Sequence, residues 1–283
     1  MFKLILGPTI NTTHGFVSSA EYAKSLGASV YQIFLGSPQT YKCKRRSNME
    51  LIQLNNKLKE NNLKIVIHAS YMLNFCNHVN SFQHKEAIRL LVGDLTDSSK
   101  LNCIGVVVHM DKKLNMEENV AIDNYVMGIK TVLKQTPQNS IIIFETGAGV
   151  GTEICTSLYN LGKLYKKFTI TERKRIRFCI DTCHVFSAGY SINNLSYVDL
   201  FCELIDIHLG WNNIACIHLN DSKCQVNSKK DRHADIGCGL IGSDGLKKFV
   251  QVCVEKVIPI ILETPCENNF TKDKQIALIK SWI

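Results

Sequence analysis

Residues 176–190 read IRFCIDTCHVFSAGY, an apolar run that ends abruptly at Asp181, with His184 three residues further on. A buried strand that is followed by Asp-x-x-His brings a carboxylate and an imidazole into the same small space. This combination of oxygen and nitrogen ligands suits zinc or a similar divalent ion. The stretch therefore predicts a buried strand whose carboxyl end carries metal ligands.

The same kind of ending recurs along the chain. Five other apolar runs also finish on a histidine or a glutamate, at His68, His109, Glu145, His218 and Glu263. One histidine in such a position is more often a hydrogen-bonded residue of the core or rim. Six endings of this kind favour a single site that is assembled from many strand ends.

The order of the apolar runs predicts the fold. Strands are predicted at 2–6, 30–35, 63–68, 104–109, 140–145, 176–181, 214–218 and 258–263. Amphipathic helices are predicted at 18–26, 49–59, 81–101, 117–133, 152–165, 197–209, 243–254 and 272–282, with Ser81, Thr152 and Ser243 as N-caps. Strands that are apolar throughout indicate a parallel sheet covered on both faces. Eight strand–helix units in 283 residues predict an α/β fold, a (β/α)8 TIM barrel that forms a single domain over residues 1–283.

A doubly wound open sheet is the structural alternative. That fold usually carries a glycine-rich phosphate-binding turn after its first strand. The glycines at 147, 149 and 151 lack the required spacing and come too late in the chain. The barrel is therefore the favoured fold.

In a TIM barrel the active site lies at the carboxyl ends of the strands, so the six endings should converge there. His184 lies one turn beyond the sixth strand, and Asp231 and His233 fall in the long loop after the seventh. Together these make nine candidate ligands, too many for one tetrahedral ion and enough for two or three. The remaining histidines do not fall at strand ends and are predicted to lie outside the site: His14, His78, His84 and His208.

Composition restricts the cellular setting. The twelve cysteines include no CxxC pair, and several fall inside apolar runs, which favours a reducing compartment. No apolar stretch is long enough to span a bilayer, and no signal-peptide core is evident. We expect a soluble, intracellular monomer, in the cytoplasm or the nucleus, that does not act at a membrane.

The net charge of +8 suggests a polyanionic partner. Basic residues cluster at 42–46, 112–113 and 223–232, which all follow predicted strands and so belong on the rim that carries the candidate ligands. A fourth cluster at 166–177 precedes a strand and is predicted to lie on the opposite face. Any one such cluster is more often a solvated surface, but three on one rim favour nucleic-acid binding.

Several blocks resemble the signatures of one known family. The blocks are HASY at 68–71, FETGAG at 144–149, CIDTCHVFSAGY at 179–190, IHLNDSK at 217–223, DRHADIGCGLIG at 231–242 and LET at 262–264. In this order they look like the endonuclease IV family (AP endonuclease family 2), the zinc-dependent apurinic/apyrimidinic endonucleases of base-excision repair. The IDTCH, HLNDSK and DRH blocks together are highly specific.

The resemblance implies a TIM barrel with three Zn²⁺ ions per chain. The implied first ion is held by His68, His109 and Glu145; the second by Glu145 as a bridge with Asp181, His218 and Glu263; and the third by His184, Asp231 and His233. Family members cut the phosphodiester on the 5′ side of an abasic site in double-stranded DNA, which leaves a 3′-hydroxyl and a 5′-deoxyribose phosphate. A 3′-end-cleaning phosphodiesterase activity is also expected. Glu145 and Glu263 are the expected catalytic residues, since either could orient the nucleophile that the metals activate.

The chain departs from the family in the loops expected to grip DNA. The first loop, at 7–10, lacks the histidine that family members commonly place there, and the loop at 36–41 differs from the usual DNA-penetrating sequence. Cys238 stands where an acidic residue is usual. The residues expected to contact DNA are Tyr71, Gln39, Tyr41, Lys42, Lys44, Arg45, Arg46, Lys223, Lys229, Lys230 and Arg232.

Two rival functions use the same features. A metal-dependent sugar isomerase or epimerase on this barrel would also use Glu, Asp and His at strand ends, but it would hold one or two magnesium or manganese ions. A non-catalytic DNA-binding barrel would bind duplexes without cutting them and would tolerate loss of ligands, yet all nine are present. The nuclease accounts best for the DRH and HLNDSK blocks together with the basic rim.

Overall fold

Eight parallel strands form the centre of the protein. The computed structural model describes residues 3–41 and 46–283. The barrel strands are β1 (Leu6–Pro8), β2 (Val30–Phe34), β3 (Lys64–His68), β4 (Cys103–Val108), β5 (Ile142–Glu145), β6 (Ile176–Asp181), β7 (Ile214–His218) and β10 (Ile260–Leu262). They are hydrogen-bonded in the order β1-β10-β7-β6-β5-β4-β3-β2, and each recorded strand pair is parallel.

The sheet closes on itself between β1 and β2. Thr9 and Gln32 form a parallel bridge, the Ile10 N–H donates to the Gln32 carbonyl at 2.8 Å, and the Ser29 N–H donates to the Leu6 carbonyl at 3.0 Å. Gly7 makes this approach possible, because a Cβ at that position would lie 1.6 Å from the carbonyl oxygen of Val30. The predicted TIM barrel is therefore confirmed.

Helices surround the barrel between successive strands. They are α1 (Phe16–Ser25), α2 (Asn48–Glu60), α3 (Phe82–Ser98), α4 (Glu118–Gln135), α5 (Leu158–Lys166), α6 (Ile170–Arg173), α7 (Thr182–Ala188), α8 (Leu195–His208), α9 (Gly242–Glu255) and α10 (Lys272–Lys280). Two short strands, β8 (Asp221–Ser222) and β9 (His233–Ala234), pair antiparallel outside the barrel. The short helices α6 and α7 and this small ribbon are additions to the predicted strand–helix alternation.

Of the three predicted N-caps, only Ser81 is confirmed; its hydroxyl accepts the His84 N–H. Thr152 was wrong, because its hydroxyl accepts the Leu114 N–H from another loop, and the helix begins only at Leu158. Ser243 was also wrong, because the helix already begins at Gly242.

A carboxylate distant in sequence explains the start of α9. Asp221 accepts the Ile241 N–H at 2.9 Å and the Gly242 N–H at 3.2 Å, so it satisfies amide groups at this helix terminus.

The first barrel strand is displaced from the predicted range 2–6 to Leu6–Pro8. Residues 1–2 lie outside the described residues.

One apolar layer fills the interior of the barrel. A separate cluster of fully buried residues takes one member from each of seven strands: Val30, Val66, Val107, Ile143, Cys179, Cys216 and Ile261. Side chains alternate across a strand, so the residue two positions after each of these also faces the interior, one layer closer to the carboxyl rim. This second layer contains the predicted ligands, as described below.

Three further expectations concern the outside of the protein. The basic cluster at 166–177 lies on α5, α6 and the start of β6, at the amino end of that strand and opposite the ligand rim, as predicted. No helix in residues 3–41 and 46–283 is long and apolar enough to cross a bilayer. The eleven cysteines in this part of the chain are free thiols.

Candidate metal centre

The carboxyl ends of six barrel strands bring six of the predicted ligands together. His68, His109, Glu145, Asp181, His218 and Glu263 each follow, by two positions, a member of the apolar interior layer. Because of strand alternation, all six point into the barrel at the same level. Glu145, Asp181 and His218 are 0% exposed, so this level lies beneath the surface of the rim.

A short helix positions His184. Asp181 is the N-cap of α7, and one of its carboxylate oxygens accepts the His184 N–H at 2.9 Å. The other oxygen accepts a hydrogen bond from the Asn220 amide at 2.7 Å and faces the cluster. The IDTCH block therefore contains both the end of β6 and the N-cap of α7, and this arrangement places Asp181 and His184 on the same side.

The ribbon of β8 and β9 positions His233. Asp221 pairs with Ala234 and Ser222 pairs with His233, so the loop that carries Asp231 is folded back over the barrel mouth. This pairing explains why the HLNDSK and DRH blocks belong to one site although they are separated in sequence.

The nine predicted ligands fall into three groups whose ligand atoms lie within 4.8 Å of one another in each group. The groups are His68, His109 and Glu145; Glu145, Asp181, His218 and Glu263; and His184, Asp231 and His233. Glu145 belongs to two groups: its Oε2 lies 3.4 Å from His68 Nε2 and 3.5 Å from His109 Nε2, and its Oε1 lies 2.8 Å from His218 Nδ1.

Two further groups that contain cysteine overlap with these three. They are Cys179 and Cys216 with His218, and Cys183 with Asp181 and His233. Burial raises the pKa of the Cys179 thiol well above its usual value and that of Cys183 to about 12. The thiolate is the form that binds metals, so each of these thiols would have to lose its proton against the effect of burial before it could act as a ligand.

Backbone carbonyls fix the orientation of three imidazoles. The Nδ1 atoms of His68, His184 and His233 lie 2.8, 2.8 and 3.3 Å from the carbonyl oxygens of Ala69, Thr146 and Glu263, respectively. A hydrogen bond from Nδ1 leaves the lone pair on Nε2, which points into the cluster.

Four buried atoms of the cluster have no hydrogen-bond partner among the described residues. They are Nε2 of His68, His184 and His233, and Oε2 of Glu145. Their neighbours lie close, with Asp231 oxygens 3.2 Å from His184 Nε2 and 3.0 Å from His233 Nε2, but without hydrogen-bond geometry. Buried polar atoms are rarely left unpaired, so the arrangement fits atoms that converge on bound cations.

Charge complementarity within the cluster is strong. Burial opposes protonation of His218, but Glu263 and Glu145 outweigh it and raise the pKa of this imidazole to about 10. Burial dominates at His109, where it lowers the pKa to about 4 although Glu145 lies nearby. Burial would raise the pKa of Glu145, but His109 and His218 hold it well below its usual value.

In the third ligand group, burial and the neighbouring carboxylates also have opposite effects on an imidazole pKa. Burial opposes protonation of His233, but Asp181 and Asp231 raise its pKa to about 9. In the metal-free protein, carboxylates therefore draw protons to the imidazoles at the positions where a cation would be attracted.

Two clefts open on either side of Tyr71. One, of about 750 Å³, is lined by Glu263, His233 and the first loop, and the other, of about 540 Å³, by His109, His184 and Asp231. Tyr71 lines both clefts and is 52% exposed, with its ring against those of His68 and His109. This side chain therefore stands over the predicted ligands and within reach of a molecule in either cleft.

Several predicted DNA contacts already have partners within the protein. The Lys223 ammonium lies 2.6 Å from Glu267, the Lys229 ammonium donates to the Ala188 carbonyl at 2.8 Å, and the Arg232 guanidinium donates to the carbonyl of its neighbour Asp231. All three residues are nevertheless exposed to solvent.

The remaining predicted contacts are spread over the same rim. Gln39 and Lys230 are exposed, and Tyr41 is half-buried with its ring against Phe82. Arg46 is half-buried, donates to the Leu35 carbonyl at 2.6 Å and lies over the ring of Phe16. Lys42, Lys44 and Arg45 lie outside the described residues.

Sequence reasoning missed several residues that contact the predicted ligands. Gln32, which is 0% exposed, lies 2.9 Å from His218 Nε2 and 2.6 Å from Glu263 Oε1. Asn220 contacts Asp181 and accepts the Glu263 N–H at 3.0 Å. The position of Gln32 two residues after Val30 is the one sequence signal that could have revealed it.

Comparison with known proteins agrees with this geometry. A family profile described as "Xylose isomerase-like TIM barrel" matches residues 20–282. A protein of Acanthamoeba polyphaga mimivirus, named "Putative endonuclease 4", is 41% identical over 98% of this chain and 93% of its own length. A "Probable endonuclease 4" of Mycoplasma pneumoniae is 32% identical over 98% of each chain.

Similarity in three dimensions points the same way. The crystal structure of endonuclease IV from Thermus thermophilus superimposes with a TM-score of 0.83 at 25% identity, over 98% of each chain. The fold and the sequence therefore point to the same family. The chain belongs to the endonuclease 4 family of the Xylose isomerase-like TIM barrels.

Proposed function

We propose that the protein is a zinc-dependent apurinic/apyrimidinic endonuclease of base-excision repair. It would hydrolyse the phosphodiester 5′ to an abasic site in double-stranded DNA and leave a 3′-hydroxyl and a 5′-deoxyribose phosphate. Removal of blocked 3′ ends by the same phosphodiesterase chemistry is part of the proposal. The names of the relatives and the three ligand groups both support it.

The observation that carries the proposal is the spacing of ligand atoms at the barrel mouth. Zinc binds imidazole nitrogen and carboxylate oxygen at about 2.0–2.2 Å, which places neighbouring ligand atoms of a tetrahedron about 3.3–3.6 Å apart. His68 and His109 approach the same oxygen of Glu145 at 3.4 and 3.5 Å, and Asp231 approaches His184 at 3.2 Å. The first and third groups therefore fit zinc in the spacing of their ligand atoms, and the second fits it in the type of its ligand atoms. We propose one ion for each of the three groups, three per chain.

Glu145 has the central role among the side chains. It is shared by two groups, so its two oxygens would hold the first two ions at a fixed spacing and offset their mutual repulsion. When bound, the ions supply a nucleophile near neutral pH and neutralise charge on the phosphodiester oxygens. Glu263, at 13% side-chain exposure, is accessible from the larger cleft and would help orient the attacking water.

The clefts beside Tyr71 account for lesion recognition. An abasic nucleotide lacks base stacking, so extruding it from a duplex costs less than extruding a normal nucleotide, by about a few kcal/mol. The exposed Tyr71 ring can fill the space that the missing base leaves, while Arg46 and Lys230 lie on the same rim as candidates for phosphate contacts.

A cleavage assay tests the proposal. The purified protein is incubated with a 5′-labelled duplex that carries one tetrahydrofuran abasic analogue, with and without a zinc chelator. We expect one incision 5′ to the analogue, a 3′-hydroxyl that a polymerase extends, loss of cutting with chelator and recovery with added zinc. Cutting that the chelator does not affect, or binding of the duplex without cutting, would contradict the proposal.

The sugar isomerase or epimerase remains the alternative that the fold itself allows, because the matching profile is named after xylose isomerase. The two functions differ in metal and in substrate. An enzyme with one or two magnesium or manganese ions that turns over sugars and leaves the abasic duplex intact would establish this alternative.

A further inference from the structure

We propose that Gln32 is a positioning residue that orients two of the proposed zinc ligands, His218 and Glu263. This inference rests on the proposed zinc centre and adds to it a residue that carries no metal-ligand group. Its support comes from the level of Gln32 in the barrel, from its contacts, and from the way the other imidazoles are held.

Gln32 belongs to the same interior level as the ligands. It follows Val30 by two positions, as His68 follows Val66 and Glu145 follows Ile143, and Val30 is part of the apolar interior layer. It is 0% exposed, although glutamine is mostly found at protein surfaces. A neutral amide at this buried level therefore has to be satisfied by neighbours, and the ligands provide the partners.

Both ends of the amide are used. The carbonyl oxygen lies 2.9 Å from His218 Nε2, and the NH₂ group donates to Glu263 Oε1 at 2.6 Å and to the Thr9 hydroxyl at 3.1 Å. The orientation is self-consistent, because the reversed amide would set NH₂ against the imidazole N–H and oxygen against a carboxylate. Thr9 lies in the first loop, which lacks the histidine common in the family, and bridges β1 to β2 at this position.

The contact with His218 determines which ring nitrogen is free for a cation. In His68, His184 and His233, Nδ1 is held by a backbone carbonyl and Nε2 faces the cluster. His218 is reversed: its Nδ1 faces Glu145 at 2.8 Å and Glu263 at 3.2 Å, and its Nε2 faces Gln32. Gln32 thus performs for His218 the function that backbone carbonyls perform for His68, His184 and His233.

The contact with Gln32 gives the two carboxylate oxygens of Glu263 different partners. Oε1 accepts the hydrogen bond from Gln32, whereas Oε2 is the oxygen that approaches His218 Nδ1. A fixed Oε1 removes rotational freedom from the carboxylate, so Oε2 is already directed at the second group when a cation arrives. Loss of such an outer contact typically costs about 10- to 100-fold in metal affinity or activity.

Three variants test the inference. Gln32→Met keeps the side-chain length and removes the hydrogen bonds to His218, Glu263 and Thr9. Gln32→Glu keeps the acceptor for His218 but opposes Glu263 with a second carboxylate. Gln275→Met is the matched control, because Gln275 is also 0% exposed and bonded, but to Asp235 and to the Phe270 carbonyl rather than to a proposed ligand. Far-UV circular dichroism and thermal melting check that each variant is folded.

The main readout is zinc release, measured with a colorimetric chelator on the zinc-loaded proteins. For Gln32→Met we expect one of about three ions to be released about 10- to 100-fold more readily than in the unsubstituted protein, with a smaller loss in Gln32→Glu. In cleavage of the abasic duplex, kcat should fall with KM almost unchanged, since Gln32 is buried away from the DNA. Gln275→Met should retain the zinc-release profile and kcat of the unsubstituted protein.

The outcomes separate this inference from the proposed function. If the unsubstituted protein binds zinc and cuts the abasic duplex while Gln32→Met releases zinc normally, the role of Gln32 is wrong and the nuclease stands. Equal zinc loss in Gln32→Met and Gln275→Met would also overturn it, because loss of any buried glutamine would then suffice. Failure of the unsubstituted protein to bind zinc would refute the proposed function itself.

Discussion

Glu145→Gln is the substitution that tests the proposed bridge between two ions. Glutamine preserves the shape of the side chain but removes its charge and one of its acceptor oxygens. Glu145 is 0% exposed, and its oxygens lie 2.8–3.5 Å from the nitrogens of His68, His109 and His218. The one oxygen that glutamine keeps can serve only one of the two groups, so the other group loses a ligand; if that oxygen stays with His218, the first group keeps only two side-chain ligands.

The expected effect is large on activity and moderate on metal content. Metal stabilisation of charge in the transition state contributes several kcal/mol, so loss of about 4 kcal/mol corresponds to a fall in kcat of about 10³-fold. Zinc content should fall from about three ions per chain to about two, because a site with two side-chain ligands no longer holds its ion firmly.

The assay combines single-turnover cleavage of the abasic duplex with elemental analysis of the same preparation. Glu153→Gln is the matched control, since the Glu153 carboxylate is also part of the rim but accepts N–H groups of Gly149 and Val150. We expect this control to keep its zinc and to lose far less activity. Near-normal turnover of Glu145→Gln with its full complement of zinc would refute the bridging role.

Three further predictions follow from the charges of the site. Zinc binding to the metal-free protein at pH 7.5 should release at least two protons, because the pKa values of His218 and His233 are raised to about 10 and about 9 and that of His184 is also raised well above its usual value. Calorimetry in buffers of different ionisation enthalpy measures this release, and zero release would contradict the prediction. The pKa values of His218 and His233 exceed the unfolded value of about 6.5, so the contribution of these imidazoles to stability is complete below that pH and is lost as the pH rises through 9–10. Urea unfolding of the metal-free protein should therefore show lower stability at pH 9.5 than at pH 6.5. Neutralising Arg46 and Lys230 together should weaken binding to damaged and undamaged duplexes alike and reduce the salt slope by about one unit per phosphate contact, whereas equal losses from two neutralisations within the 166–177 cluster would show that bulk charge drives binding.

The sequence was sufficient for the barrel and for the convergence of its strand ends. Strands that are apolar throughout indicate a parallel sheet covered on both faces, and the parallel strands of a barrel bring their carboxyl ends to one rim. Residue type then identified the candidate ligands, because histidine and carboxylates at strand ends are unusual unless they are paired or bind a metal. Whether they bind zinc stays a prediction until the metal is measured.

What the sequence did not predict depends on contacts between distant residues. Gln32 was missed because glutamine is not a metal-ligand type, and only its register with Val30 places it among the ligands. The start of α9 was misplaced because its amide groups are satisfied by Asp221, some twenty residues away. The partners of Lys223 and Lys229 likewise come from other loops, so a basic run alone could not show which lysines are engaged.

The most direct test of the metal centre is the zinc content of the purified protein. Protein prepared without chelators is analysed by inductively coupled plasma mass spectrometry against a protein concentration from amino-acid analysis. The three ligand groups predict about three zinc ions per chain, with loss of abasic-site cleavage when they are removed and recovery when zinc is restored. A content near one ion per chain, or magnesium as the sole metal, would contradict the account.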